Sequence, residues 1–172
     1  YGLEHFVRNA RVGQLYEGSN GIQAIDLVKR KLKFNSGRAR LSFFDTINNL
    51  IAKYDGNPDM ECYLKPLDSA LTVLDEVIDS VFHADAKDDC SSSVAAYDIL
   101  TMFGIVAIGW TWSEIAGLIL KDETEYLSDG EKVRKLALAK LWMEREIPMV
   151  HSIAKRALNH SNVLMGLDSD LI

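Results

Sequence analysis

Apolar residues recur at three- and four-residue intervals along the chain, and no period-two run competes, so the pattern predicts an all-α protein. Ile22, Ile25, Val28 and Leu32 share one face of a first helix, with Asn20 and Gln23 spaced as a capping box at its start. Lys29, Arg30, Lys31 and Lys33 crowd its last turns, where cations complement the helix dipole. Asn35-Ser36-Gly37 then predicts a break. Ser42 and Asp45 suggest a second cap, followed by a stripe of Phe44, Ile47, Ile51 and Tyr54 that Asp55-Gly56-Asn57-Pro58 ends. A third helix is expected from Pro58 or Pro66 to Phe82, carrying Leu67, Leu71, Leu74, Ile78 and Val81, with Pro66 starting or kinking it.

His83 to Ser93 predicts a polar loop. The helix expected from Ser93 to Leu120 is apolar on more than one face, as a helix with several neighbours should be. A charged connection over 121–130 precedes a last helix from Glu131 to Asn159, which Pro148 should bend or split. Long helices with short polar connections predict an antiparallel up-and-down helical bundle. The segment after Gly37 looks self-contained, so the division expected is 1–37 and 38–172.

Composition narrows the function classes. The chain has 172 residues, 48% hydrophobic and 26% charged, with a formal charge of -6. That balance, with no basic stripe, argues against a nucleic-acid binder. The longest uncharged run, Ile99 to Ser113, is shorter than a bilayer needs, so no membrane span is expected. Cys62 and Cys90 lie far apart without a C-x-x-C, which suits a reduced cytoplasmic setting better than a disulfide or zinc site. The start at Tyr1-Gly2-Leu3 has neither an initiator Met nor a leader-like pattern, and reads as a cut from a longer protein.

Candidate chemistry gathers at Leu15-Tyr16-Glu17-Gly18-Ser19-Asn20-Gly21-Ile22-Gln23. Glu17 stands among apolar and small residues just before a helix start, whose free amides point toward whatever precedes them. Gly18 permits close approach of a ligand. Desolvation would raise the carboxyl pKa toward that of a base for a weakly acidic C–H. The same residues also fit an exposed loop carboxylate beside a cap.

Tyr16-Glu17-Gly18-Ser19-Asn20-Gly21-Ile22-Gln23, after Arg8-Asn9-Ala10-Arg11-Val12 and before Asp26-Leu27-Val28-x-Arg30-Lys31-Leu32, resembles the signature of acyl-CoA dehydrogenases. Ser19 stands where that family usually has Thr, and Asn9 where it usually has Asp. The resemblance implies an oxidoreductase using FAD, with Glu17 as the base for the α-proton of an acyl-CoA. It further implies Tyr16 and Gly18 along the acyl channel, and Ser19 and Gly21 against FAD. Partners implied are an electron-transfer flavoprotein and further copies of the same chain. Tyr97-Asp98-Ile99-Leu100, Phe103-Gly104, Val106-Ala107, Gly109-Trp110 and Trp112 resemble an extra helical domain appended to some bacterial acyl-CoA dehydrogenases, in a group with enzymes similar to 3-methylmercaptopropionyl-CoA dehydrogenase. A fragment of this kind is expected to be inactive alone. The competing reading makes 38–172 a non-catalytic interaction or oligomerisation module.

Other constellations carry less. No Glu-x-x-His pair, H-E-x-x-H, G-x-G-x-x-G or G-K-[ST] occurs, so no metal is expected. His5, His83, His151 and His160 share no spacing, Trp110 and Trp112 suggest core or interface packing, and Asp85 to Asp89 suggests a solvated loop.

Overall fold

The computed structural model describes residues 2–16 (backbone alone for 13–16), 19–85 and 90–159. Among them it is an all-α helical bundle: α1 (Leu3–Tyr16), α2 (Asn20–Asp26), a π-helical turn (Leu27–Lys31), α3 (Phe34–Lys53), α4 (Glu61–Asp85), α5 (Ser91–Leu120), α6 (Asp129–Arg145) and α7 (Met149–Leu158). The helical periodicity is therefore realised, and no described residue is in a strand.

α5 is the centre. It packs against α2, the π turn, α4, α6 and α7, which is why its sequence is apolar on more than one side. Ile99, Met102 and Val106 of α5 are fully buried, together with Leu67, Leu74 and Ile78 of α4. Gly109 lets Leu67 and Ile147 close on α5, because a Cβ there would lie 2.7 Å from Ile147 Cδ1 and 3.4 Å from Leu67 Cδ1. By length and composition α5 could cross a bilayer, but one side of it is core.

Several predicted boundaries move. Ser19, not Asn20, is the first cap: it is extended (φ -66°, ψ 151°) and its side chain accepts from the Ile22 amide, while Asn20 is already helical. The predicted cap at Ser42 does not exist, because α3 already runs through that position and the Ser42 carbonyl accepts from Thr46 Oγ1 at 2.8 Å. The break at Asn35-Ser36-Gly37 is present as a kink inside α3, all three residues having positive φ. α4 begins at Glu61, ahead of Pro66, and runs to Asp85, so the expected loop from His83 is shorter than its polarity suggested. Pro66 lies in the second turn, where its lost amide bond falls near the helix end. α6 begins earlier than Glu131: Ser128 and Glu131 form a reciprocal capping box. Pro148 does split the last helix and caps α7.

Candidate functional site

The segment singled out by sequence lies between α1 and α2. α1 ends at Tyr16, and α2 starts after the extended Ser19. Glu17 and Gly18 lie outside the described residues, as does the Tyr16 side chain. Ser19 and Gly21 are exposed. The Ser19 hydroxyl oxygen accepts from the Ile22 amide at 3.5 Å, and its carbonyl accepts from the Gln23 amide at 3.1 Å. Around Gly21 the space is open, with nothing within 4 Å of a Cβ built there. Ser19 and Gly21 thus share one helix start, one turn before Ala24 and two turns before Val28 sink fully into the core.

The chain from Asp26 to Arg40 holds that helix start in place. The π turn closes with the Leu32 amide donating to the Leu27 carbonyl at 2.9 Å. Arg30 donates to Asp26, with Nη2 3.0 Å from Oδ2, and this hydrogen bond holds the Asp26 carboxyl below the usual carboxylate range. Lys33 reaches across to Asp85 at the end of α4, Nζ to Oδ2 3.0 Å, and lies 4.7 Å from the centre of the Phe82 ring. Beyond the kink, Arg40 donates to Asp75 (Nε to Oδ1 2.9 Å) and to Asp79 (Nη1 to Oδ1 2.6 Å). Ion pairs on both sides of Asn35-Ser36-Gly37 therefore tie the kink to α4. They border a groove of about 390 Å³ lined in part by Leu32, Lys33, Arg40 and Phe44.

Sequence reading missed these clamps. The signal available was Asp75 and Asp79, four residues apart and so on one face of α4. Asp85 also departs from its expected role in a solvated run, since its side chain is 6% exposed and accepts from the Ser92 amide at 3.1 Å. Residues 86–89 of that run lie outside the described residues.

Asp85 gives a pH-dependent expectation. Burial alone would raise its pKa, but hydrogen bonds from Lys33 and the Ser92 amide outweigh that and lower it from 3.8. Its stabilisation is present above that unfolded value and is lost as pH falls through the lower folded one. Asp85→Asn should therefore reduce stability at neutral pH, with the gap to wild type narrowing below pH 3.8. Urea midpoints at about pH 6 and about pH 3, above and below the unfolded value, test this; a gap of constant size would contradict it.

Among the described residues no group of three His, Cys, Asp or Glu side chains could hold a metal. Cys62 and Cys90 are both free thiols. Trp110 and Trp112 are half-buried and packed against the core, as expected. His151 is exposed, its Nε2 3.4 Å from Ser69 Oγ.

Comparison with known proteins gives this bundle a family. Residues 43–168 match the model described as acetyl-CoA dehydrogenase C-terminal like. The chain belongs to that family. It is also similar to the broad-specificity linear acyl-CoA dehydrogenase FadE5 of Mycobacterium tuberculosis, at 24% identity over 177 residues. That match takes in 98% of this chain but only 29% of the relative's length. An acyl-CoA dehydrogenase C-terminal segment is thus what the sequence resemblance implied and what the comparisons support.

Proposed function

We propose that this chain is the carboxy-terminal helical part of an FAD-dependent acyl-CoA dehydrogenase and carries its catalytic base, Glu17. The observation that supports this reading is a relative matched across 98% of the chain, through the α1–α2 junction as well as the bundle. In the proposed division, 1–37 completes the enzyme's own helical domain and 38–172 is the appended bundle. Packing of α2 and the π turn on α5 would join the two firmly.

The chemistry asked of the junction is proton removal next to a thioester. The Glu17 carboxylate takes the α-proton, and the electron pair left behind forms the Cα–Cβ double bond as hydride departs from Cβ. The Glu17 backbone amide donates to the thioester carbonyl oxygen, where negative charge develops. Tyr16 and Gly18 line the acyl chain. Ser19 and Gly21 are small and exposed, and the space around Gly21 is open, which suits contact with FAD. When bound, FAD supplies the hydride acceptor; the protein supplies position and electrostatics. The product is a trans-2-enoyl-CoA, and an electron-transfer flavoprotein is the proposed acceptor in a cytoplasmic, oligomeric enzyme.

The test is anaerobic mixing of a longer protein containing this segment with saturated acyl-CoAs, following the flavin's visible absorbance. Bleaching by an acyl-CoA is expected, with the 172-residue chain alone inactive. A longer protein without flavin, or with flavin that no acyl-CoA reduces, would contradict the reading.

A second reading is favoured by the surface of α5, which leaves large apolar residues exposed along its length. In it, 38–172 acts as an interaction module with no chemistry of its own. The two readings are compatible within one enzyme. Deleting 38–172 from the longer protein tests the module through particle mass by light scattering; unaltered assembly would count against it.

A further inference from the structure

α2 presents Ser19 and Gly21 at its start, yet its 7 residues fall short of the length at which a helix holds in water unaided. Packing must give it a direction. α2 lies on α5, and Ala24, Val28 and Leu32 are buried at intervals of four residues. In an α-helix each step of four overshoots a full turn by about 40°, so Leu32 would face about 80° away from Ala24. The π turn takes up that excess. Its wider loop, closed by the Leu32 amide donating to the Leu27 carbonyl at 2.9 Å, returns Leu32 to the buried face.

A second hold follows the π turn. Lys33 Nζ donates to Asp85 Oδ2 at 3.0 Å, while Asp85 Oδ1 accepts from the Ser92 amide at 3.1 Å. One buried carboxylate therefore joins the end of the π turn to the last turn of α4 and the first turn of α5. Asn35, Ser36 and Gly37 come next, all left-handed, so the axis of α3 does not continue that of α2. The orientation of α2 is thus set by α5 and by Asp85. In the proposed division both belong to 38–172, whereas Ser19 and Gly21 belong to 1–37.

We propose that the bundle aims the flavin-contacting helix start, and that Lys33 and Asp85 are positioning residues for the reaction. The inference rests on the reading of the α1–α2 junction as part of a flavin site. Two holds fix a helix axis, where one leaves it free to tilt. From Ser19 to Lys33 the chain rises about 20 Å, so a tilt of about 3° moves the helix start by about 1 Å. A misplacement of that size costs up to about a hundredfold in rate. Lys33 itself is half-exposed, so replacing it leaves the buried face of Ala24, Val28 and Leu32 intact.

The test compares Lys33→Met, Lys33→Arg and Lys132→Met in the longer protein. Lys33→Met removes the bridge but leaves the hydrogen bond from the Ser92 amide to Asp85, and Lys33→Arg keeps a cation for Asp85. Lys132 is the control: it pairs with Asp122 beyond the far end of α5, Nζ to Oδ1 2.6 Å. Two quantities are read. One is hydrogen exchange of the amides over 20–33 in flavin-free protein; the other is the rate at which a saturating acyl-CoA reduces the flavin in loaded protein. Lys33→Met is expected to speed the exchange and slow the reduction, each at least about tenfold, with flavin content unchanged. Lys33→Arg should restore both, and Lys132→Met should move neither. Unchanged exchange in Lys33→Met would overturn the proposal, since the bridge would not hold α2. Faster exchange with reduction at the wild-type rate would overturn it too, while leaving the flavin reading intact. Equal slowing in Lys132→Met would reduce the effect to a general loss of stability and contradict it. A wild type whose flavin no acyl-CoA reduces would remove the flavin reading and this inference with it, whatever the exchange shows.

Discussion

Glu17→Gln in the longer enzyme is expected to lower kcat for acyl-CoA oxidation by roughly 10²–10⁴-fold, the usual contribution of a positioned general base. Gln keeps the length and shape of Glu but cannot accept the α-proton. The backbone amide that would hold the thioester carbonyl is unchanged, so acyl-CoA affinity should hold. Flavin content should also hold, since Ser19 and Gly21, the residues assigned to FAD, remain at the same helix start. The split matters: a loss of kcat with flavin and ligand still bound belongs to a base, whereas joint loss of flavin and activity belongs to a structural residue. Turnover within a few-fold of wild type would remove Glu17 from the mechanism.

Leu67→Ala carries the largest expected effect on stability. Leu67 is fully buried on α4 and meets α5 at the notch left by Gly109, beside Ile147 between α6 and α7. Truncation removes the transfer free energy of the lost methyls and leaves a cavity that three converging elements limit in collapsing. The expected cost is about 3 kcal/mol, equivalent to a Tm lowered by about 10 °C in a chain of this size. Chemical denaturation with an unchanged urea slope would confirm a packing loss. A cost under about 1 kcal/mol would mean that α4 and α5 do not meet as described.

Much of the fold was legible because its strongest signals are local. Helical periodicity, the Pro148 split, and the Asn35-Ser36-Gly37 break each follow from backbone preference or side-chain spacing. Asn and Gly tolerate positive φ, and a kink with positive φ is what stands there. The errors came from competition between local signals and neighbours. Ser42 looks like a cap, but it lies inside a helix already under way, where its carbonyl takes the Thr46 hydroxyl. Ser19 took the cap assigned to Asn20 because Asn20 had already turned helical. The polar stretch from His83 reads as a loop, yet Asp85 is drawn in by Lys33, 52 residues away, and no window of sequence contains both. By contrast, the Ser128–Glu131 box was visible in its spacing, and starting the helix at Glu131 passed over it.

The candidate site rests on a different kind of signal. Spacing alone left Glu17 open between a base and a loop carboxylate, and the role proposed for it rests on the family resemblance. Ser19 and Gly21 lie at one exposed helix start, and the chain spans only 29% of the relative's length.

The most direct measurement is solvent deuterium incorporation at the acyl-CoA α-carbon, followed by mass spectrometry in the longer enzyme held anaerobically. This isolates proton transfer at Glu17 from the later passage of electrons. Wild type is expected to catalyse the exchange, and Glu17→Gln to bind flavin and acyl-CoA while exchanging at least about a hundredfold more slowly. Exchange at the wild-type rate in Glu17→Gln would contradict the account.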